Sequence, residues 1–410
     1  MHSWICGLVG LALAASSPAA FAQPEASSPA PAAGEPEVPD WLAVFKFNIR
    51  TAPTQAADSD RHCPFGGSPA HNGAYSQAYA AATSLRPTLA AGTGLVGSGA
   101  DDPLGATFAR IWEGDYNYVV WNDQFYRHPA IAGCSESCGA PWGHSKGILA
   151  WTEAGDGLLL QVTTPSWPAA GAKARPRPGD GNTLGCINRP NNLKFSQHFF
   201  AVRLSADDVG QVLDALANAS VVTDLASPIL VRNGGPAALQ AKVARLGRRS
   251  ASTQVIDVTL STGVRLISKP SRLNVPPWQL VSAQLGGVPL RAATWWATPK
   301  IPTTVAGSPI ACWTPALAKP GAVEIATSGH WQGRPIDLKG GSGNHGKIGV
   351  STAGERPYAI FGDMNQQGAL SGKCSSSQNG RGGLFFVVEN QALHDSVAAL
   401  IEGDTAAASK

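Results

Sequence analysis

One short unit occurs twice in this chain, and that duplication constrains the fold more than any other feature. Gly147-Ile-Leu-Ala-Trp151, a turn at Ala154-Gly-Asp-Gly157 and Leu158-Leu-Leu-Gln-Val162 read as strand, turn, strand. Lys347-Ile-Gly-Val-Ser351, turn residues through Arg356 and Pro357-Tyr-Ala-Ile-Phe361 follow the same order of events. Each unit opens with a histidine, one intervening residue and a lysine, namely His144-Ser145-Lys146 and His345-Gly346-Lys347. Each second strand then runs out into polar side chains, Thr163 and Thr164 in one case and Asp363 and Asn365 in the other. Such a repeat predicts two homologous, pseudo-symmetric halves in an α/β chain, over residues 39–235 and 236–405, each a mixed β-sheet flanked by helices.

Composition agrees with strands and turns rather than helical bundles, since the 410 residues include 46 glycines and 31 prolines and only 14% are charged. Trp41 to Asn48 and Tyr116 to Trp121 are further strand candidates. Helices are predicted where caps and apolar spacing coincide. Ser205 caps a segment bearing Val209, Val212, Leu213 and Leu216, and similar patterns cover Pro236 to Leu246 and Asn390 to Ile401. An apolar run from Ile5 to Ala15 followed by Ala20-Phe21-Ala22 reads as a signal peptide over residues 1–22, with a flexible Pro, Ala and Ser leader over 23–38. The expectation is an exported protein, periplasmic or secreted, without a membrane span. Six cysteines remain beyond the leader, Cys63, Cys134, Cys138, Cys186, Cys312 and Cys374, and in an oxidising compartment they are candidates for disulfides whose pairing the spacing does not choose. The net charge of +3 is too small to imply a nucleic-acid partner by bulk electrostatics, so a polyanion requires a local patch.

The chemistry sits in the two His-x-Lys pairs. Residues i and i+2 of a strand share a face, so each histidine points the same way as its lysine while Ser145 and Gly346 face elsewhere. Two such pairs brought together across a pseudo-two-fold axis supply two imidazoles and two ammonium groups. That inventory suits phosphodiester cleavage without metal or other cofactor: one histidine attacks phosphorus, the other protonates the leaving oxygen, and the lysines offset phosphoryl charge. His144, Lys146, His345 and Lys347 are therefore the candidate catalytic residues, with Asn365 as an amide donor to a phosphoryl oxygen. The competing reading of a solvated His-Lys surface pair explains one occurrence better than two in matched contexts. Because one histidine must be protonated while the other is neutral, activity is expected at acid pH.

These residues carry a resemblance to the deoxyribonuclease II family, the acid endonucleases within the wider phospholipase D superfamily. Gly143-His-Ser-Lys-Gly-Ile-Leu149 is similar to the family's first motif and Pro165-Ser-Trp-Pro168 to the segment that follows it. Thr183-Leu-Gly-Cys186, Asp40-Trp41, Asn122-Asp-Gln124 and Asn344-His-Gly-Lys347 are further likenesses, and Gly362-Asp-Met-Asn-Gln-Gln-Gly368 with Arg381-Gly-Gly383 is the most specific. The resemblance implies two phospholipase D-like halves and a metal-independent endonuclease on double-stranded DNA that leaves 3′-phosphate ends. The chain departs from the animal pattern where cysteines flank the second motif, so the family's disulfides do not transfer. Cys312 with Cys374 and Cys134 with Cys138 are the pairings considered. A metal site at Cys134 and Cys138 is disfavoured by the missing second cysteine pair.

Lys173, Arg175 and Arg177, together with Arg245, Arg248, Arg249, Arg265, Lys269 and Arg272, offer a DNA path, although any one of them reads equally as solvated surface. Most of the 12 tryptophans read as packing residues, and His198, His330 and His394 as structural. The alternatives to a nuclease are a phospholipase D-like phosphodiesterase on another substrate and a non-catalytic polyanion-binding relative. The expected partner is DNA as substrate, with no membrane and a homodimer as a compatible assembly.

Overall fold

The computed structural model describes residues 38–48, 78–93, 96, 102–125, 134, 137–165, 195–228, 230–340 and 343–408. The expected signal peptide, nearly all of the leader, Cys63, Cys186, the stretch from Ser166 to Pro168 and the basic residues Lys173, Arg175 and Arg177 lie outside the described residues.

The chain first lays down β1 (Trp41–Lys46), β2 (Tyr79–Thr83), β3 (Arg86–Ala91), β4 (Asn117–Asn122), β5 (Lys146–Trp151), β6 (Gly157–Val162), β7 (Gln197–Leu204) and β8 (Val231–Arg232). They form one 8-stranded sheet in the order β3-β2-β1-β7-β6-β5-β4-β8. Next come β9 (Ile256–Thr259), β10 (Arg265–Lys269), β11 (Leu290–Ala293), β12 (Val323–Ile325), a separate hairpin of β13 (Ser328–Trp331) and β14 (Arg334–Asp337), then β15 (Ile348–Ser351), β16 (Tyr358–Gly362) and β17 (Gly383–Glu389). Without the hairpin these form a 7-stranded sheet in the order β12-β11-β15-β16-β17-β10-β9. All strand pairs are antiparallel except β11 with β12, which makes the second sheet mixed. The chain is thus α/β, with the predicted strands at β1, β4, β5, β6, β15 and β16 present. The central strands follow one order in both sheets, β1-β7-β6-β5-β4 and β10-β17-β16-β15-β11.

Among the described residues the α-helices are α1 (Pro103–Glu113), α2 (Ala206–Asn218), α3 (Ala237–Val243), α4 (Pro277–Gln284) and α5 (Gln391–Leu400). The capping box predicted at Ser205 is present, closed reciprocally with Asp208, and Asn390 caps α5 through the Leu393 N–H. Val209, Val212, Leu213 and Leu216 of α2 are all fully buried, each contributing roughly 1.5–3 kcal/mol of hydrophobic stabilisation. The helix reaches that burial by lying against β5, β6 and β7 on one side and β9, β10 and β17 on the other. Between the sheets, Phe200 of β7 stacks on Phe361 of β16 at 4.8 Å and packs against Phe386 of β17 at 5.4 Å. With both faces covered, β5 and β6 are buried throughout, which is why they read as continuous apolar runs rather than as alternating strands. No helix among the described residues is long and apolar enough to cross a membrane.

Candidate active site

β5 begins two residues after His144 and β15 three residues after His345, and both imidazoles face one pocket. Gln124, His144, Thr163, Trp295, His345, Lys347 and Asn365 line it. Four of the five candidate residues therefore meet in a single cavity. The fifth, Lys146, is turned beneath the wall, where its Nζ donates to Asp123 Oδ1 at 2.6 Å. The expectation that both lysines face the same space is met only by Lys347, whose Nζ also donates to the His345 carbonyl.

The two imidazoles are held differently. His144 Nδ1 lies 2.7 Å from the Asp363 carbonyl oxygen, which can only accept, so Nδ1 carries the proton and Nε2 keeps its lone pair. The His345 ring is clamped by aromatic surfaces, stacked on Phe195 at 4.6 Å and met edge-on by Trp295 at 4.4 Å. Burial first, then the surrounding cations Lys146 and Lys347, hold both histidines well below the usual value of 6.5, so both are neutral at rest. Burial and the nearby Lys146 also lower Lys347 well below its usual value.

Two carboxylates support this arrangement with opposite charge preferences. Burial would raise Asp123, but Lys146, His144 and Arg381 outweigh it and hold the carboxyl well below the carboxylate range. Arg381 reaches Asp123 Oδ2 at 2.8 Å and also donates to the carbonyls of Cys138, Trp142 and Gly143. Asp363 is instead pushed up to about 7, because burial exceeds the hydrogen bonds from Ser145, the Leu384 N–H and Gln161. Gln161 extends that contact across the core: its Nε2 donates to Asp363 Oδ1 at 3.0 Å, and its Oε1 accepts from His198 Nε2 at 3.2 Å. His198 Nδ1 in turn accepts the Lys347 backbone N–H at 3.0 Å. Read as structural, His198 is a buried spacer joining the two motifs.

The glycines beside the motifs have a steric reason. A Cβ on Gly143 would lie 2.5 Å from the Ala219 carbonyl oxygen, and one on Gly382 would lie 2.2 Å from the same atom. The C-terminal end of α2 is thus wedged between Gly-His of the first motif and the Arg-Gly-Gly segment, leaving room only for bare backbone.

Asn365 is 95% buried by exposure of 5%, donates from Nδ2 to Gln367 Oε1 at 2.8 Å and retains a second N–H on the same nitrogen. In the sequence Asp123, Asp363 and Arg381 stand only as letters of the motifs, with no local sign of a role. Gln161, Phe195 and Trp295 carry no local sign of a role either, since tertiary packing alone brings each of them near the site. The proposed basic path needs correction. Lys269 is fully buried, Arg265 makes two hydrogen bonds to Asp257, and Arg245 pairs with Asp214, so these three are engaged by the protein itself. Arg248, Arg249 and Arg272 are exposed, and Arg249 sits over the Trp142 ring at 5.3 Å, two residues before His144. Both considered disulfides are formed, Cys134 with Cys138 and Cys312 with Cys374.

The two sheets jointly present paired imidazoles, a lysine and two side-chain amides to one pocket. The sequence profile of the deoxyribonuclease II family matches residues 67–404, most of the chain, and the protein belongs to that family. Membership places it among the hydrolases that act as nucleases on DNA. A comparison with curated proteins finds no match.

Proposed function

We propose that the protein is an exported, metal-independent endonuclease that hydrolyses DNA phosphodiesters through a covalent phosphohistidine and leaves 3′-phosphate ends at acid pH. The observation that carries this reading is the pair of imidazoles from different sheets facing one pocket, one with its tautomer fixed by the Asp363 carbonyl. We assign His144 as nucleophile, because its Nε2 lone pair is available without any prior proton transfer. Nε2 attacks phosphorus, the bond from phosphorus to the 5′-oxygen breaks, and that oxygen takes the proton of a protonated His345. A water then attacks the phosphohistidine with His345 as base, the bond to His144 breaks, and the phosphate stays on the 3′-oxygen. Lys347 and the Asn365 amide meet the equatorial oxygens, while Lys146 adds positive potential from beside the wall. The charge that a metal would offset is supplied by these cations, and both nearby carboxylates are already engaged by protein partners.

The two halves, residues 39–235 and 236–405, are read as phospholipase D-like repeats. Their support is the shared strand order and the helix that follows β7 and β17 alike, with the change of sheet falling between Arg232 and Ile256. Arg248, Arg249 and Trp142 are assigned to the DNA path beside His144. The test is nicking of supercoiled plasmid in excess EDTA between pH 4 and 8, beside His144→Ala and His345→Ala. Cutting by wild type alone, with 3′-phosphate at the ends, supports the reading. A requirement for added metal, or cutting that survives both substitutions, refutes it.

A further inference from the structure

Two buried lysines outside the pocket occupy equivalent places, Lys46 as the last residue of β1 and Lys269 as the last residue of β10. Both are fully buried, so neither can touch a substrate. Lys269 Nζ donates to the carbonyls of Asn379 and Arg381, both at 2.7 Å. One residue further on, the Gly382 carbonyl accepts the backbone N–H of His144 at 2.8 Å. In the other half Lys46 Nζ donates to the Phe195 carbonyl at 2.8 Å. One residue further on, the Ser196 carbonyl accepts the backbone N–H of His345 at 2.8 Å and that of Gly346 at 3.2 Å. The register agrees: Lys46 lies opposite Gln197, and Lys269 opposite Gly383, each two residues past the capped carbonyl.

Each histidine is therefore hung from a segment belonging to the opposite half, and each such segment is pinned by a lysine. These segments lie just before β7 and β17, where the ladder has not begun and carbonyls need another partner. An ammonium is a costly buried group and persists where such acceptors converge on it. Burial lowers both lysines to about 7, and Lys46 is near enough to His345 to depress that imidazole as well. The lysines also explain contacts on the same segments: Phe195 stacks on His345, and Arg381 holds Asp123 and Gly143.

We propose that Lys46 and Lys269 are paired positioning residues acting crosswise, Lys269 setting the His144 backbone and Lys46 the His345 backbone. The assignment rests on His144 and His345 being the working pair. It is tested with Lys46→Met and Lys269→Met, which keep volume and lose the donors, and with Lys46→Gln and Lys269→Gln, which keep one donor and serve where a Met variant fails to fold. Spectra of histidine-labelled protein are recorded without DNA, so the result does not depend on the nuclease reading. Lys269→Met is expected to move the ring and amide signals of His144 and leave His345 in place, and Lys46→Met to do the reverse. With plasmid substrate, kcat falls by up to about 10²-fold at nearly constant KM, and the Gln variants recover part of it. Signals that move together in both variants, signals unmoved in both, or a loss confined to KM would overturn the proposal.

Discussion

Replacing Asp123 by Asn tests the electrostatic floor of the site. The carboxylate is fully buried and binds Lys146 at 2.6 Å and Arg381 at 2.8 Å, with the two cationic side chains only 3% and 11% exposed. Removing one partner of a buried ion pair costs about 3–5 kcal/mol, since the remaining charge is left uncompensated. Arg381 keeps three carbonyl acceptors, which puts the expected loss towards about 3 kcal/mol. With roughly 2 cal/mol/K of unfolding entropy per residue, a chain of this size loses about 4 °C in Tm. The pH dependence is more diagnostic. Asp123 is held below its ordinary value of 3.8, so its contribution is fully present above that value and is lost only as pH falls through the lower folded-state value. Urea unfolding of wild type and Asp123→Asn from pH 8 to 4 should show a gap that is constant down to about pH 5. A gap below about 1 kcal/mol, or one that closes between pH 7 and 5, would refute the reasoning.

Four further outcomes are expected. His345 must gain a proton that burial and its cationic neighbours disfavour, so kcat/KM on plasmid falls as pH rises towards and past 6.5; a profile climbing from pH 5 to 8 contradicts the assignment. The same neutral histidines bind fewer protons folded than unfolded below 6.5, so Tm declines as pH drops from 7 to 5, and calorimetry that finds a flat or rising Tm removes the premise. Cys312 and Cys374 close a separation of 62 residues, so the double Ser variant loses up to about 4 kcal/mol by the loop-entropy relation, measured by denaturant titration against reduced wild type, which should match it. Arg249→Glu raises KM for DNA and flattens its salt dependence with kcat retained, a split that steady-state assays at several ionic strengths will detect or deny.

The parts of the fold legible in the sequence are those whose pattern is local. Ser205 with Asp208 and the spacing of Val209, Val212, Leu213 and Leu216 specify α2 without reference to anything distant. The strands at β5 and β15 are legible because turn residues bracket β-branched and aromatic runs. By contrast β2 is Tyr-Ala-Ala-Ala-Thr, a segment with weak strand preference that is recruited by pairing with β1. Helix α4 is buried over Pro277 to Ala283, so it has no polar face and no period to read. At the site, the duplicated His-x-Lys pairs point to the chemistry, but direction is a tertiary matter: Asp123, from the end of β4, draws Lys146 away from the pocket that Lys347 lines. Lys46 and Lys269 leave only a faint trace, a charged residue ending an otherwise buried strand.

The order in which the chain is made gives the crosswise hydrogen bonds another meaning. His144 emerges from the ribosome long before Gly382, whose carbonyl holds its backbone, and before Asp363, whose carbonyl fixes its ring. The closing helix α5 is later still, and its Ser396 accepts the N–H of Leu89 from the early hairpin. Chains fold from the N-terminus as they are synthesised, yet a nascent chain short of residue 382 lacks the carbonyl that accepts the His144 backbone N–H. The geometry around His144 is therefore completed only by residues near the end of the chain.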